Sequence, residues 1–394
     1  MRRSRLALLG STLWILGQLA IPATAAATST PLTITADRPA AVPAGHLWGY
    51  NDFFPRVLSV HRGTTIRFRI EGFHTATLLP GGVSAQAGRV ASGLLKSDAD
   101  DTTLNPNGST HTEIFLPAAF PSPGGCGSSA HPCAFNGASV LNSGAPLAGP
   151  VPDMNVKVTA PVGFYRFLCL VHPQMQGWLA VVPSGFHATT PTDLATMVTA
   201  QVRHDRAAGW AAEAAANVVS SRLNANGTRT WFLTAGTGSP DGYTAVNEML
   251  PRRITIHRGD RIVWRSRAVN EPHTVTFPGE LHTDMVALCE NGAVDVPATP
   301  TVIPPTGPGD FSCNGGPPDE IEFDGGNGVN QLTSPGTVSD SGFIASSAEL
   351  TGFGLPSTAA KARWTAIVAG GAAKATYTYV CQIHDGMAGK IIVH

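Results

Sequence analysis

The sequence predicts an all-β protein made of two β-sandwich domains, and three observations support that prediction. Short segments in both halves alternate apolar and polar residues with a period of two, as half-buried strands do. The chain holds 43 Gly and 31 Pro among 394 residues, a turn-rich composition that suits many short strands. The second half also repeats part of the first, and the length leaves room for two domains.

An internal repeat relates the two halves of the chain. Residues 54–63 (FPRVLSVHRG) align without a gap with residues 250–259 (LPRRITIHRG). Each copy leads into a segment of period-2 alternation, which predicts strands at 65–69 and 261–265. We therefore interpret the halves as duplicated domains.

The join between the two copies predicts a helix. Thr190 can cap it, Pro191 suits its first position, and Asp193 places an acidic residue in its first turn. Ala-rich sequence continues to about Val219, with Gly209 as a candidate break. A membrane-binding amphipathic helix is the alternative, which the scarcity of Lys disfavours. We expect domain 1 at 30–185, a helical linker at 186–225 and domain 2 at 226–394.

A pattern with the spacing C-x2-H-x2-M occurs near the end of each half. A thiolate, an imidazole and a thioether in one short loop can converge on a single soft metal ion, and this combination favours copper. Each pattern lacks a second His, and His74 and His273 supply a candidate upstream. One such pattern alone is compatible with core packing. Its recurrence in two aligned copies favours metal ligation.

The whole constellation resembles the cupredoxin (plastocyanin/azurin) family, in which one His comes from an early strand and Cys, His and Met come from the last loop. The short ligand loop looks most like that of amicyanin. The resemblance implies two tandem cupredoxin-like Greek-key β-sandwiches, each with one type 1 (blue) copper. The implied ligands are His74, Cys169, His172 and Met175 for one copper and His273, Cys381, His384 and Met387 for the other.

The resemblance also implies that His172 and His384 present their ring edges near an apolar surface. The chain departs from the family between each upstream His and its Cys. There, residues 75–168 and 274–380 are long enough to carry large loop insertions. Unstructured loops of that length are uncommon in compact domains.

Four protein ligands leave no open position on either copper, so we expect outer-sphere electron transfer with redox partner proteins and no catalytic residues. One alternative is copper sequestration or delivery. Another is a two-domain copper oxidoreductase similar to nitrite reductases or laccases. No two histidines are separated by one residue, and none adjoins Cys169 or Cys381, which disfavours that enzyme. A further site built from His111, His131 or His282 stays open.

The N-terminus predicts export. Residues 1–25 combine an Arg-rich start, an apolar run from Leu6 to Ala20 and small residues ending at Ala25, as a cleaved signal peptide does. An uncleaved membrane anchor is the alternative. We expect a periplasmic or extracellular protein with no stable membrane span after cleavage. A formal net charge of −1, with 13% charged residues, gives no electrostatic footprint for nucleic acid.

The four remaining cysteines predict disulfides, which persist in an oxidising compartment. Four cysteines allow three pairings. We choose Cys126 with Cys133 and Cys289 with Cys313, because each pair lies within one insertion. A zinc site is the alternative, and the spacing does not match the usual C-x2-C pairs.

Overall fold

A computed structural model of the chain describes most of both halves. The described residues are 31–85, 87, 95–98, 111–115, 124–144, 151–279, 285–288, 294–295, 320–323, 330–342, 344–347, 349, 362–384 and 386–394. The predicted signal peptide at 1–25 and the predicted Cys289–Cys313 pair lie outside them. Leu32–His394 forms one structural unit.

Two five-stranded sheets form the first sandwich, with strands numbered in chain order through the whole molecule. The first sheet contains β1 (Leu32–Ala36), β3 (Phe53–Phe54), β5 (Thr65–Ile70), β9 (Cys133–Phe135) and β11 (Met154–Val158), in the order β3-β1-β5-β11-β9. The second contains β4 (Val57–His61), β6 (Thr77–Leu78), β10 (Leu141–Asn142), β12 (Gly163–Leu168) and β13 (Gln176–Val182), in the order β10-β6-β12-β13-β4. The alternating side chains of both sheets meet in one apolar core, which also contains Cys169 and Met175.

The second sandwich is built in the same way. Its larger sheet contains β2 (Trp48–Gly49), β14 (Ser220–Leu223), β15 (Arg229–Gly238), β16 (Ala245–Leu250), β18 (Arg261–Arg267), β23 (Gln331–Leu332) and β25 (Arg363–Val368). Its smaller sheet contains β17 (Arg253–Ile256), β19 (Thr276–Phe277), β24 (Ser339–Asp340), β26 (Thr376–Val380) and β27 (Ala388–Val393). The core between them includes Cys381 and Met387.

The sheets that lead into the predicted ligands share one strand order. The first sandwich has the order β10-β6-β12-β13-β4, and the second has the order β24-β19-β26-β27-β17, position for position. In both, the strand before the ligand Cys pairs antiparallel with the strand after the ligand Met. The predicted all-β fold of two sandwiches is confirmed.

Helix α1 (Pro191–Ala216) follows the first sandwich and has the predicted N-terminus. Thr190 and Asp193 form a reciprocal capping box, and Pro191 occupies the first turn. Gly209 does not break the helix. A Cβ at that position would lie 2.7 Å from the Trp48 ring, so the glycine allows the helix to approach the strand that carries Trp48. Among the described residues, no helix has the length and apolar character needed to cross a membrane.

Strand β2 joins the two halves. It belongs to the first half of the sequence, yet Trp48 and Gly49 pair antiparallel with Val246 and Ala245 of β16 in the second sandwich. Trp48 also packs with Ala216 at the end of α1 in a small apolar cluster. The sandwiches are therefore linked by backbone hydrogen bonds as well as by the helix.

The long insertions contribute a fifth sheet. It contains β7 (Leu95–Asp98), β8 (His111–Phe115), β20 (Met285–Leu288), β21 (Val294–Asp295) and β22 (Glu320–Phe323). Strand β8 of the first insertion pairs antiparallel with β22 of the second. The predicted disulfide between Cys126 and Cys133 is present.

Candidate metal centres

The first candidate site lies at one end of the first sandwich. His74 lies between β5 and β6, Cys169 directly follows β12, and His172 and Met175 lie in the turn before β13. Cys169 Sγ is 3.8 Å from His74 Nδ1 and 3.6 Å from His172 Nδ1, and the two Nδ1 atoms are 2.9 Å apart. Fold and turn together bring one sulfur and two imidazoles to one point.

Backbone hydrogen bonds fix the ligand turn. The Cys169 N–H donates to the Met175 carbonyl over 3.0 Å, and the Met175 N–H donates to the His172 carbonyl over 3.0 Å. The Thr75 N–H points at Cys169 Sγ over 3.4 Å, while the Thr75 hydroxyl accepts the Leu170 N–H over 2.9 Å. The thiol therefore sits in a rigid, buried cradle built by the chain on either side of it.

The second site repeats these contacts with its own residues. Cys381 Sγ is 4.0 Å from His273 Nδ1 and 3.6 Å from His384 Nδ1. The Cys381 N–H donates to the Met387 carbonyl over 2.9 Å, and the Thr274 N–H points at Cys381 Sγ over 3.3 Å. Met387, like Met175, is fully buried. The structure therefore brings together His74, Cys169 and His172 in one group and His273, Cys381 and His384 in another, and each group shares its ligand turn with a buried Met.

Electrostatics favour a thiolate in each group. Burial raises the pKa of the Cys169 thiol, but hydrogen bonds from His172 and His74 outweigh burial and hold that pKa well below its ordinary value. Cys381 has its pKa lowered in the same way by His273 and His384. The thiolate is the form of cysteine that binds metal.

A single carboxylate, which the sequence did not single out, lies between the two sites. Glu271 Oε1 is 3.0 Å from His172 Nε2, and Glu271 Oε2 is 3.1 Å from His384 Nε2. Asn51 adds a 2.9 Å hydrogen bond to Oε1. Burial raises the pKa of Glu271, but its two histidine partners outweigh burial and hold the pKa well below the ordinary range.

The pKa values of His172 and His384 shift in the opposite direction to that of Glu271. Burial lowers the pKa of His172, but the charges of Glu271 and Cys169 outweigh it and raise the pKa to about 10. Cys381 and Glu271 likewise outweigh burial at His384 and raise its pKa to about 10. Because the carboxylate can only accept, both Nε2 atoms carry the proton, and the Nδ1 atoms are the ones left to face a metal.

The expectation that these two rings present their edges near an apolar surface is wrong. His172 is buried, and His384 is nearly so. Their Nε2 edges meet the Glu271 carboxylate between the sandwiches, and the neighbouring Gln174 N–H donates to Asn270 of the second half over 3.1 Å. Packing of one half on the other buries the ring edges of these histidines, which an isolated domain would expose.

The two upstream histidines differ in their surroundings. His74 Nε2 is 3.6 Å from Asp37 Oδ2, a charge contact too long for a hydrogen bond. Among the described residues, His273 Nε2 is buried with no hydrogen-bond partner. Burial and His172 lower the pKa of His74, but Asp37 and Cys169 outweigh them and raise it. At His273, burial prevails and lowers the pKa.

A third group, His46 with Glu213 and Glu248, also brings three potential ligand atoms together. His46 Nδ1 is 2.9 Å from Glu213 and 3.4 Å from Glu248. The Trp48 indole and Arg252 supply further donors to these carboxylates. This group is an ion-pair network at the joint between α1 and the second sandwich.

Three additional histidines were considered from sequence. His131 lies on an exposed turn, β8 contains His111, and His282 lies outside the described residues. Two residues that matter, Asp37 and Glu271, carry no motif. The only sequence signal for Glu271 was its position two residues before His273, where the first half has Gly72 before His74.

No protein-family model matches the sequence, and no curated protein matches it at a significant level. Among solved structures, auracyanin from Roseiflexus castenholzii is similar at 17% identity and a TM-score of 0.20, covering 39% of this chain and 98% of that chain. The blue copper oxidase from Nitrosomonas europaea is similar at 11% identity and a TM-score of 0.18, covering 92% of this chain and 85% of that one.

A copper-containing nitrite reductase from Thermus scotoductus is similar at 10% identity and a TM-score of 0.15, covering 93% of this chain and 61% of that one. At these identities and TM-scores, we base the fold on strand order and the sites on side-chain geometry.

Proposed function

We propose that this chain is an exported copper protein that carries single electrons through two mononuclear type 1 sites. The residues that would hold the metal are His74, Cys169, His172 and Met175 in one site and His273, Cys381, His384 and Met387 in the other. A copper ion bound there would supply reversible one-electron chemistry between its +1 and +2 states.

One observation supports the proposal above all others: each sandwich brings a buried cysteine sulfur within 4.0 Å of two imidazole Nδ1 atoms. The donor set fits copper, because soft thiolate and thioether combined with imidazole is the pattern of electron-transfer copper sites. The hydrogen-bonded turns hold this set rigidly, and burial keeps water from it.

Export rests on two features. The predicted signal peptide at 1–25 directs the chain out of the cytoplasm. The Cys126–Cys133 disulfide suits an oxidising compartment, periplasmic or extracellular. The redox partners would be other proteins that meet the chain there.

The test is copper stoichiometry and a visible spectrum of the purified mature protein, with cysteine variants. We expect two coppers per chain and an intense thiolate-to-copper absorption. Cys169→Ser and Cys381→Ser should each remove about half of that absorption, since each supplies one thiolate. The matched control, Cys126→Ser with Cys133→Ser, should keep the colour because those sulfurs contact neither site.

Other outcomes point to the alternatives. Tightly bound copper without thiolate absorption or a reversible one-electron wave would indicate sequestration or delivery. Consumption of oxygen or nitrite that survives loss of both thiolates would indicate a copper oxidoreductase with a further metal site.

A further inference from the structure

We infer that Glu271 is a positioning residue shared by the two sites, so that one side chain sets the orientation of a ligand in each and joins the sites into a coupled pair. This inference rests on the proposed function. Its basis is geometric: the two oxygens of one buried carboxylate face the Nε2 atoms of His172 and His384 at 3.0 and 3.1 Å.

The arrangement makes Glu271 hard to replace. A carboxylate can accept from two imidazole N–H groups at once, one on each oxygen. A Gln side chain of the same shape has one oxygen acceptor and an NH₂ donor, so it can serve only one of the two rings. Asn51 completes the site by donating to Oε1, the oxygen that also faces His172.

The same contacts form a continuous route between the sites. From His172 it passes through one N–H···O contact, the carboxylate and a second N–H···O contact to His384. Transfer of one electron from one site to the other would oxidise the first and reduce the second, with no proton or further reactant required. The buried chain from ring to ring supplies the hydrogen-bonded path for that exchange.

The experiment measures copper affinity and reduction potential at each site separately. Cys381→Ser isolates the first site, and Cys169→Ser isolates the second. Glu271→Ala and Glu271→Gln are then compared in both backgrounds. Losing an outer partner of a ligand His typically costs about 10–100-fold in metal affinity. We expect a loss of that size at both sites for Ala, and at one site only for Gln.

A readout on metal-free protein checks the positioning directly. Nitrogen NMR of His172 and His384 should show protonated Nε2 atoms in the parent chain, and loss of that fixed state at both rings in Glu271→Ala. Asp260→Asn is the matched control. Asp260 is also a buried carboxylate with several N–H partners, but these are Arg229, Trp231 and His257 at a turn that holds no predicted ligand.

The outcomes separate this inference from the proposed function. Suppose that both sites show thiolate absorption, but Glu271→Ala changes copper affinity or reduction potential at only one site or at neither. The shared role of Glu271 is then refuted, while the proposed function as a copper protein is retained. If neither cysteine supports thiolate absorption, the proposed function itself fails.

A second observation carries an independent inference: Asp37 makes the two sites unequal. In the parallel pairs β1–β5 and β15–β18, Leu32 faces Ile66 and Trp231 faces Ile262. Because Ile66 and Ile262 are equivalent in the repeat, counting forward from these pairs aligns Asp37 with Gly236, which lies in the β15 bulge between Thr234 and Thr237. Both have positive φ angles, 62° and 70°, so the backbone turns alike.

Only the side chain differs at this position. Asp37 places a carboxylate 3.6 Å from His74 Nε2, whereas Gly236 offers no side chain to His273, whose Nε2 has no hydrogen-bond partner among the described residues. A negative charge next to a ligand favours the more positive oxidation state of the metal. We infer that the first site has the lower reduction potential, so that electrons pass from the first site to the second.

The test compares the reduction potentials of the two sites and then removes the carboxylate of Asp37. In Asp37→Gly, which copies the second half, the potential of the first site should rise, by about 59 mV for each tenfold change in the affinity ratio of the two oxidation states. Asp153→Asn, which removes a carboxylate paired with Arg67 and Arg69, should leave it unchanged. A first-site potential above that of the second, or one that Asp37→Gly does not move, overturns the inference.

Discussion

Gly236 shows how one residue can decide whether a candidate metal site keeps its geometry. Its φ of +70° already favours glycine, and a Cβ there would lie 1.8 Å from His273 Nε2. The overlap falls on the ring of His273, which is fully buried.

Gly236→Ala should therefore displace His273 and abolish the second site while leaving the first intact. We expect copper content to fall from two ions to one and the thiolate absorption to fall by about half. Gly227→Ala is the control, since Gly227 has a φ of +82° and no heavy atom within 4 Å of the added Cβ. Equal losses in both variants would mean that backbone strain, and not the overlap, is responsible.

Glu349 is a fully buried carboxyl group near Glu271. Its Oε2 accepts the Ser346 N–H over 3.1 Å, while Oε1 has no partner among the described residues. Burial, reinforced by the Glu271 charge, raises the pKa of Glu349 from 4.5 to about 8 despite the opposing Ser346 bond. The folded protein therefore keeps this proton at neutral pH.

The raised pKa of Glu349 makes the stability of the folded protein depend on pH. Between pH 4.5 and 8 the unfolded chain releases the proton and the folded chain retains it, so stability present at low pH is lost as pH rises. For metal-free protein this loss is on the order of 4 kcal/mol in the free energy of unfolding. Glu349→Gln should lack this loss of stability. In urea unfolding, the free energy of unfolding of the variant relative to the parent should therefore be higher at pH 8 than at pH 5. Parallel pH profiles would contradict this account.

At the scale of elements, helix α1 is anchored by one arginine. The Arg56 guanidinium lies 2.7 Å from Asp52 in the first sandwich and 2.7 Å from Asp205 in the helix, and both carboxylates are fully buried. It also stacks 3.6 Å above the Tyr243 ring of the second sandwich. One side chain thus ties together three parts of the fold.

Arg56→Ala should cost about 3–5 kcal/mol in the free energy of unfolding, because it removes the cation that partners two buried acidic side chains. Chemical denaturation would measure the loss. Arg69→Ala, which removes a half-exposed pair with Asp153, should cost at most about 1 kcal/mol. A small effect of Arg56→Ala would show that water or nearby donors compensate the carboxylates.

The elements themselves could largely be predicted from sequence. Period-2 alternation located β5 and β18, and Thr190, Pro191 and Asp193 located the start of α1, because these signals depend on neighbours in the chain. The prediction of a candidate break at Gly209 was wrong, because the helix continues through this glycine, which leaves room for the Trp48 ring. That contact joins segments remote in sequence, and no local pattern reports it.

The same limit applies to the candidate sites. The repeated spacing predicted eight ligands, and the structure brings two Cys and four His of that set together as two groups. Glu271 and Asp37 could not be found that way, because a carboxylate acquires its role only from the rings that folding brings beside it. The mistaken expectation for His172 has the same cause: its burial depends on the other half of the molecule.

At the scale of the whole molecule, the two halves should unfold together. They share the β2–β16 strand pair, the Arg56 network and the contacts of Glu271 with both ligand turns. We expect metal-free protein to show one calorimetric transition, with a calorimetric enthalpy equal to the van't Hoff enthalpy. Two resolved transitions would show instead that the sandwiches are energetically independent.

Strand β2 has a consequence for the order in which the chain reaches its final form. Trp48 and Gly49 emerge early in synthesis, but their partners in β16 follow only after the entire first sandwich and helix α1 have been made. The strand pair that joins the first half to the second can therefore form only after most of the chain has been made.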